Sequence, residues 1–293
     1  GSISVLKDAA SAAIYGSRAA FGVILVTTKT AGQEKLTINY NNNFALRKLT
    51  SMADVITDPY MVASTRNTMS YPWYNLYNAD QLAYAKKVSE DPSVSPYYLN
   101  PDGTYSYFGS TDWFDEAYKD LSFSTNHTVD ISGKTDKLNY YFSANYNFQD
   151  GMVKYGTDKF NRYNLRSKLD FKLTDWWTIG NNTSFVTSDY NSPNYLGDSY
   201  YWEVNRLNPL DVISNPDGTW AKAGSSVFGR MIDGGRWNQQ KNTFTTQFTT
   251  KIDIIKNILF LNGSFNYTAQ KNAEKGYSLP VEYYDGPDRS PLY

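Results

Sequence analysis

Leu138-Asn139-Tyr140-Tyr141-Phe142-Ser143-Ala144-Asn145-Tyr146-Asn147-Phe148-Gln149 decides the fold. Side chains two apart share a face of a β-strand. One face therefore carries Leu138, Tyr140, Phe142, Ala144, Tyr146 and Phe148. The other carries Asn139, Tyr141, Ser143, Asn145, Asn147 and Gln149. The pattern repeats over 162–173, where Tyr163, Leu165, Ser167, Leu169, Phe171 and Leu173 oppose Arg162, Asn164, Arg166, Lys168, Asp170 and Lys172. A face holding that many charges must meet water, while its reverse is apolar throughout.

Weaker alternation recurs over 34–48 (Leu36, Ile38, Tyr40, Phe44, Leu46), 122–132 (Phe123, His127, Val129, Ile131) and 176–190 (Trp177, Ile179, Phe185). It recurs again over 238–254 (Phe244, Phe248, Ile252, Ile254) and 258–270 (Leu259, Leu261, Phe265, Tyr267). Seven strands are thus predicted, most about twice the five or six residues usual in globular proteins. Strands this long suit a tilted crossing of an apolar band about 25 Å tall. The connections support the same reading, because short turns alternate with longer loops. The loops expected to be longest cover 49–121 and 191–237. A membrane barrel sorts its loops in this way, with short turns on one side and long loops on the other. An odd number of strands leaves an unclosed sheet, and unpaired ladder groups in lipid are costly. Both ends of the chain therefore read as cut, and the final segment, Lys271–Tyr293, reads as the start of another loop.

Composition narrows the alternatives. The chain has 293 residues and a formal net charge of −1, with 16% aromatic residues, 26 of them Tyr. Near-neutral charge argues against nucleic-acid binding by bulk electrostatics. With no Cys and one His, thiolate and multi-His metal sites are excluded. No run of 18 apolar residues exists, so no membrane-spanning helix is expected. No signal peptide opens the chain.

Residues 1–32 differ from the rest. Lys7–Tyr15 reads as a short helix, with Gly16 as its stop. Gly22–Lys29 is a short β-branched run without alternation, as in a strand buried on both faces. The first long loop is predicted to hold helices over 54–69 and 79–88. A small repeat, Asn100-Pro101-Asp102-Gly103-Thr104-Tyr105 and Asn215-Pro216-Asp217-Gly218-Thr219-Trp220, is turn chemistry. One Asp per copy is too few for a metal site.

Ile3-Ser4-Val5-Leu6-Lys7-Asp8-Ala9, then Ala13-Ile14-Tyr15-Gly16-Ser17-Arg18-Ala19-Ala20 and Gly22-Val23-Ile24, resembles the end of the plug domain of TonB-dependent outer-membrane transporters of the SusC/RagA branch, found in Bacteroidota. Thr111-Asp112-Trp113-Phe114-Asp115 with Asn126-His127, Tyr140–Ser143 with Asp150-Gly151, and Phe160–Arg166 resemble that family's early barrel strands. The resemblance implies an all-β fold, a transmembrane antiparallel barrel of 22 strands of which about seven are present here. Residues 1–32 would be the C-terminal end of the plug and 33–293 the start of the barrel. It further implies outer-membrane import of oligosaccharides or peptides, a SusD-like surface lipoprotein, and energy from the TonB complex through a segment absent here. No enzyme activity, cofactor or metal is implied. The plug-motif residues are Lys7, Asp8, Tyr15, Gly16, Arg18 and Gly22, with Arg18 expected to pair with carboxylates of the barrel wall.

No nucleophile, base and acid can be assembled. His127 reads as a surface or structural residue. The Asp112/Asp115/Glu116 group reads as a turn or short helix. Among the loop aromatics, Trp73, Tyr74, Tyr200, Tyr201 and Trp202 are the candidates for contact with substrate or lid, because flat rings suit sugar faces. Loop packing is the competing role. A soluble, secreted carbohydrate-binding β-protein is the rival fold. A glycosidase would need two carboxylates in one cleft, which cannot be placed. A signalling receptor of the same architecture would carry an extra N-terminal domain.

Overall fold

The computed structural model describes residues 2–12, 21–27, 35–255, 258–287 and 289–293. Near the start, β1 (Ser2–Leu6) pairs antiparallel with β2 (Val23–Thr27), with α1 (Ala9–Ala12) between them in sequence. The Asp8 carboxylate accepts from Ser11 N at 2.8 Å and caps that helical turn. Gly22 precedes β2 with φ 94°, and a Cβ there would meet Leu6 O at 3.1 Å. A side chain is therefore disfavoured twice at this position. Tyr15, Gly16 and Arg18 lie outside the described residues. The expectation that β2 is buried on both faces is corrected: Ile24 and Val26 are 67% and 65% exposed. The strand lies in a two-stranded ribbon rather than in a packed sheet, so one of its faces stays open among the described residues.

The seven long strands appear as read. They are β3 (Thr37–Arg47) and, after the helices and short strands of the first long connection, β6 (Ser122–Lys134), β7 (Leu138–Asp150), β8 (Lys159–Lys172), β9 (Trp177–Pro193), β10 (Gly235–Ile255) and β11 (Leu259–Ser278). They form one antiparallel sheet in the order β11-β10-β9-β8-β7-β6-β3. Consecutive strands are neighbours throughout, as in an up-and-down barrel wall. Short turns at 135–137 and 173–176 lie at one end, where β10 also ends at Ile255 and β11 begins at Leu259. The connections 48–121, 151–158 and 194–234 lie at the other. The final segment differs from expectation: Lys271–Ser278 is not loop but pairs with Gly235–Asn242 as the end of β11. For the same reason β10 begins at Gly235, three residues before the alternating run.

Register puts the apolar side chains together. Ile38, Ile131, Phe142 and Ser167 are opposed in a row, and Leu165 faces Phe185, which faces Phe244. The band ends on β10 and β11. Ile252, Phe248 and Phe244, with Leu261, Phe265 and Tyr267, give way toward the long-connection end to Asn242, Gln240, Asn238, Lys271 and Lys275. From Ile252 to Phe244 is about 26 Å along the strand, the scale of an outer-membrane apolar band. These side chains are bare: Leu165 is 55% exposed and Phe265 61%. Tyr40, His127, Tyr146 and Tyr163 form a row of stacked rings across this face. Tyr40 Oη bonds His127 Nδ1 at 2.7 Å and Thr125 Oγ1 bonds Nε2 at 2.8 Å, so the single His is a structural ring.

The opposite face is held by amides. Asn145 Nδ2 donates to Asn126 Oδ1 at 2.7 Å, and Asn164 Nδ2 donates to Asn145 Oδ1 at 2.7 Å. Arg166 Nε donates to Asn182 Oδ1 at 3.0 Å. Such cross-strand pairs fix register where no apolar packing does. Val26 of the small hairpin shares a hollow with Arg166, Lys168, Asp170, Asn182, Gln247 and Thr249 on this polar face.

Candidate functional site

The buried core lies in the long connections. The first connection holds α2 (Pro59–Ser70), α3 (Ala79–Glu90), β4 (Tyr97–Leu99), β5 (Tyr105–Tyr107) and α4 (Trp113–Ala117). Asp58 caps α2 by accepting from Met61 N at 2.7 Å, and Asn78 with Gln81 forms a reciprocal capping box on α3. Asp112 caps α4, so the acidic group around Trp113 is a helix start, as read. The second connection holds α5 (Asp198–Arg206) and a helical run from Lys222 to Ile232 with a π-helical middle at Ser225–Gly229.

Trp113, Ala117, Val153, Tyr200, Val204, Val227, Phe228 and Met231 pack into one cluster drawn from three connections. Ala63, Ala85, Phe108 and Leu210 form a second. The two Asn-Pro-Asp-Gly segments fold alike. Gly103 and Gly218 take φ 81° and 85°, and Asp102 and Asp217 accept from Thr104 and Thr219. Those hydrogen bonds hold both carboxyls below their ordinary range.

The aromatic candidates separate into two kinds. Tyr200 is fully buried and its hydroxyl donates to Ala117 O at 3.3 Å. Burial raises its pKa. It is a packing residue, and a ligand cannot reach its ring. Its apolar neighbours Tyr118, Tyr195 and Val204 claim that surface instead. Trp73 (84% exposed) and Tyr74 lie on the turn after α2, and Tyr201 and Trp202 (66% exposed) lie on α5. No ring contact joins the first pair to the second among the described residues.

Sequence reasoning missed a basic basin. A cavity of about 570 Å³ is lined by Arg66 of α2, Tyr107, Glu203 and Arg206 of α5, Asp211, Lys222 and Arg230. An adjoining cavity of about 610 Å³ shares Lys222, Ser226 and Arg230, and adds Tyr195, Ser225, Ser278, Tyr283 and Tyr293. Arg206 Nε lies 3.9 Å from Glu203 Oε2. The Arg230 guanidinium sits 5.0 Å over the Tyr195 ring. Burial pushes the Asp211 carboxyl up to about 6, against the pull of Arg66, Lys222 and a backbone hydrogen bond at Asn208. No spacing signal announces this cluster, because its cations come from separate elements and acidic residues are interspersed among them.

No family model matches the chain. A TonB-dependent receptor of Formosa agariphila is 32% identical over 222 residues, covering 75% of this chain and 19% of the receptor. The TonB-dependent receptor SusC of Bacteroides thetaiotaomicron is 32% identical over 286 residues, covering 96% of this chain and 22% of that protein. The chain thus spans about a fifth of the length of the curated relatives it matches. The solved structure of the RagAB peptide importer matches at TM-score 0.71 over 95% of this chain and 33% of that one, at 18% identity. The relatives are receptors and transporters, not enzymes. With the sheet, its bare outer face and these likenesses together, the chain belongs to the TonB-dependent receptors of the SusC/RagA type.

Proposed function

We propose that this chain is part of an outer-membrane importer for oligosaccharides that works with a SusD-like surface lipoprotein and draws energy from the TonB complex. The observation carrying the membrane reading is the apolar face of β3 and β6–β11, which stays bare while the buried core gathers at one end of the sheet. A soluble sandwich buries such a face, and exposed apolar patches of this extent otherwise mark interaction surfaces. In lipid the face is satisfied. Residues 1–32 are read as the end of the plug, beside the polar inner face with which Val26 shares a hollow. Residues 33–293 are read as barrel, with connections 48–121 and 194–234 on the outside of the cell.

The exposed rings of Trp73, Tyr74, Tyr201 and Trp202 support a glycan, since each offers a flat face to a sugar. Transport then needs no covalent chemistry; the plug is rearranged when TonB pulls from the periplasm. A peptide substrate is the alternative, favoured by the fold shared with a peptide importer. Deletion of the full-length gene, followed by growth on a panel of single glycans and peptides, tests the reading. Loss of growth on one glycan is expected. Loss confined to peptides moves the substrate class, and normal growth on every substrate rejects the importer.

A further inference from the structure

Four cationic side chains converge on the paired cavities, Arg66, Arg206, Lys222 and Arg230, against two carboxylates, Glu203 and Asp211. All four cations reach solvent. Arg206 lies within ion-pair distance of Glu203, and the charges of Arg66 and Lys222 act on the half-buried Asp211. Arg230 has no carboxylate within ion-pair distance among the described residues and rests on the Tyr195 ring instead. Lys222 and Arg230 are also the charged residues that line both cavities, together with Ser226. A partly enclosed site strengthens each charge relative to open water. Arginine presents a planar fork of donors that matches a carboxylate. The remaining lining is rich in Tyr rings and Ser hydroxyls: Tyr195, Tyr283, Ser225 and Ser278 in one cavity, Tyr107 in the other. Rings and hydroxyls suit a pyranose and its substituents.

We infer that the basin formed by Arg66, Arg206, Lys222 and Arg230 binds an acidic oligosaccharide, with a sugar carboxylate held between Lys222 and Arg230. The inference rests on the importer reading and narrows its substrate class.

The test is calorimetric binding to the purified full-length receptor of three probes: trigalacturonate, uncharged trigalactose and tetraglutamate. Trigalacturonate binding is expected, at least tenfold tighter than the other two and weakening with added salt. Lys222→Gln with Arg230→Gln should reduce it at least tenfold. Arg230→Lys keeps the charge and should restore most of the loss, and unchanged outer-membrane levels of each variant show that it folds. Equal binding of trigalactose, equal or tighter binding of tetraglutamate, or indifference to the double substitution overturns the inference. If the receptor still imports neutral glycans in that case, the importer reading stands without the basin; if no glycan is bound or imported, both fall.

Discussion

The Trp113 ring packs 5.7 Å from the ring of Phe228, joining the first long connection to the second. Tyr155, from the 151–158 connection, lies 4.3 Å from the same Phe228 ring. Trp113 Nε1 also donates to Asn208 O at 2.9 Å. Three chain segments that leave the sheet at different strands therefore close over one aromatic pivot. The long-connection end of the molecule thus has a core of its own.

Phe228→Ala should empty that pivot. A buried Phe truncated to Ala costs about 3–5 kcal/mol, and here the loss falls on the connections and not on the strand ladder. Hydrogen exchange on the assembled receptor should show faster exchange at Trp113, Tyr155 and α5 while β7 and β8 keep their protection. Unchanged exchange in the connections would show that they do not share a core.

Leu165→Arg tests which medium the outer face meets. Leu165 lies mid-band, opposite Ala144 and Phe185. An Arg near the middle of a bilayer costs about 2–4 kcal/mol, so the variant should reach the outer membrane in reduced amount. Arg166→Leu, one residue along and on the polar face, should be milder there. If Leu165→Arg assembles at the normal level, lipid does not cover this face.

The sheet was legible in sequence because its two faces differ in polarity. Alternation such as Leu138 to Gln149 records that difference at every second residue, and the turns follow from where it stops. The end of β11 was less legible: Lys271 and Lys275 stand outside the apolar band, so the outward face carries no hydrophobic signal there although the ladder continues. β2 misled because a β-branched run without alternation predicts burial on both faces, whereas among the described residues it pairs with β1 alone. The connections were legible only locally, at caps and Asn-Pro-Asp-Gly turns. Which of their residues meet is settled by tertiary packing. Tyr200 and Tyr201 are adjacent in sequence yet divide into a core residue and a half-exposed one, and the cations of the basin come from distant segments.

Asn215→Ala should destabilise the connections more than Asn100→Ala, although the two residues hold equivalent places in the repeated turn. Asn215 is 4% exposed. Its Nδ2 donates to Thr219 Oγ1 at 3.0 Å and Tyr284 O at 2.9 Å, and its Oδ1 accepts from Tyr107 Oη at 2.9 Å. Removing it strands buried partners, at about 1–3 kcal/mol for each group left without a bond. Asn100 bonds only within its own hairpin, to Thr104 and Ser106. Protease susceptibility of the two variants checks the order, and equal susceptibility contradicts it.

Asp211 gives the basin a pH dependence whose sign is fixed by its direction of shift. Its carboxyl is raised from 3.8 to about 6 in the folded protein, chiefly by burial. A group raised on folding contributes stability that is complete below its unfolded pKa and is lost as pH rises through the folded one. The connections should therefore be most stable below about pH 4 on this account and lose that increment between about pH 4 and 6. Glu203, Arg66, Arg206, Lys222, Arg230 and Tyr107 line the cavity around it. Of these, Arg66 and Lys222 already pull the value down, so Lys222→Gln should raise it further. Protonating Asp211 removes one negative charge from the basin. Binding of a sulfated oligosaccharide, whose own charge does not change in this range, should tighten as pH falls from 8 to 5, with its midpoint near 6. Asp211→Asn fixes the neutral state, so its affinity at pH 8 should equal that of the unsubstituted receptor at pH 5, and its profile should be flat. A profile in the variant that still bends near pH 6 assigns the titration to another group.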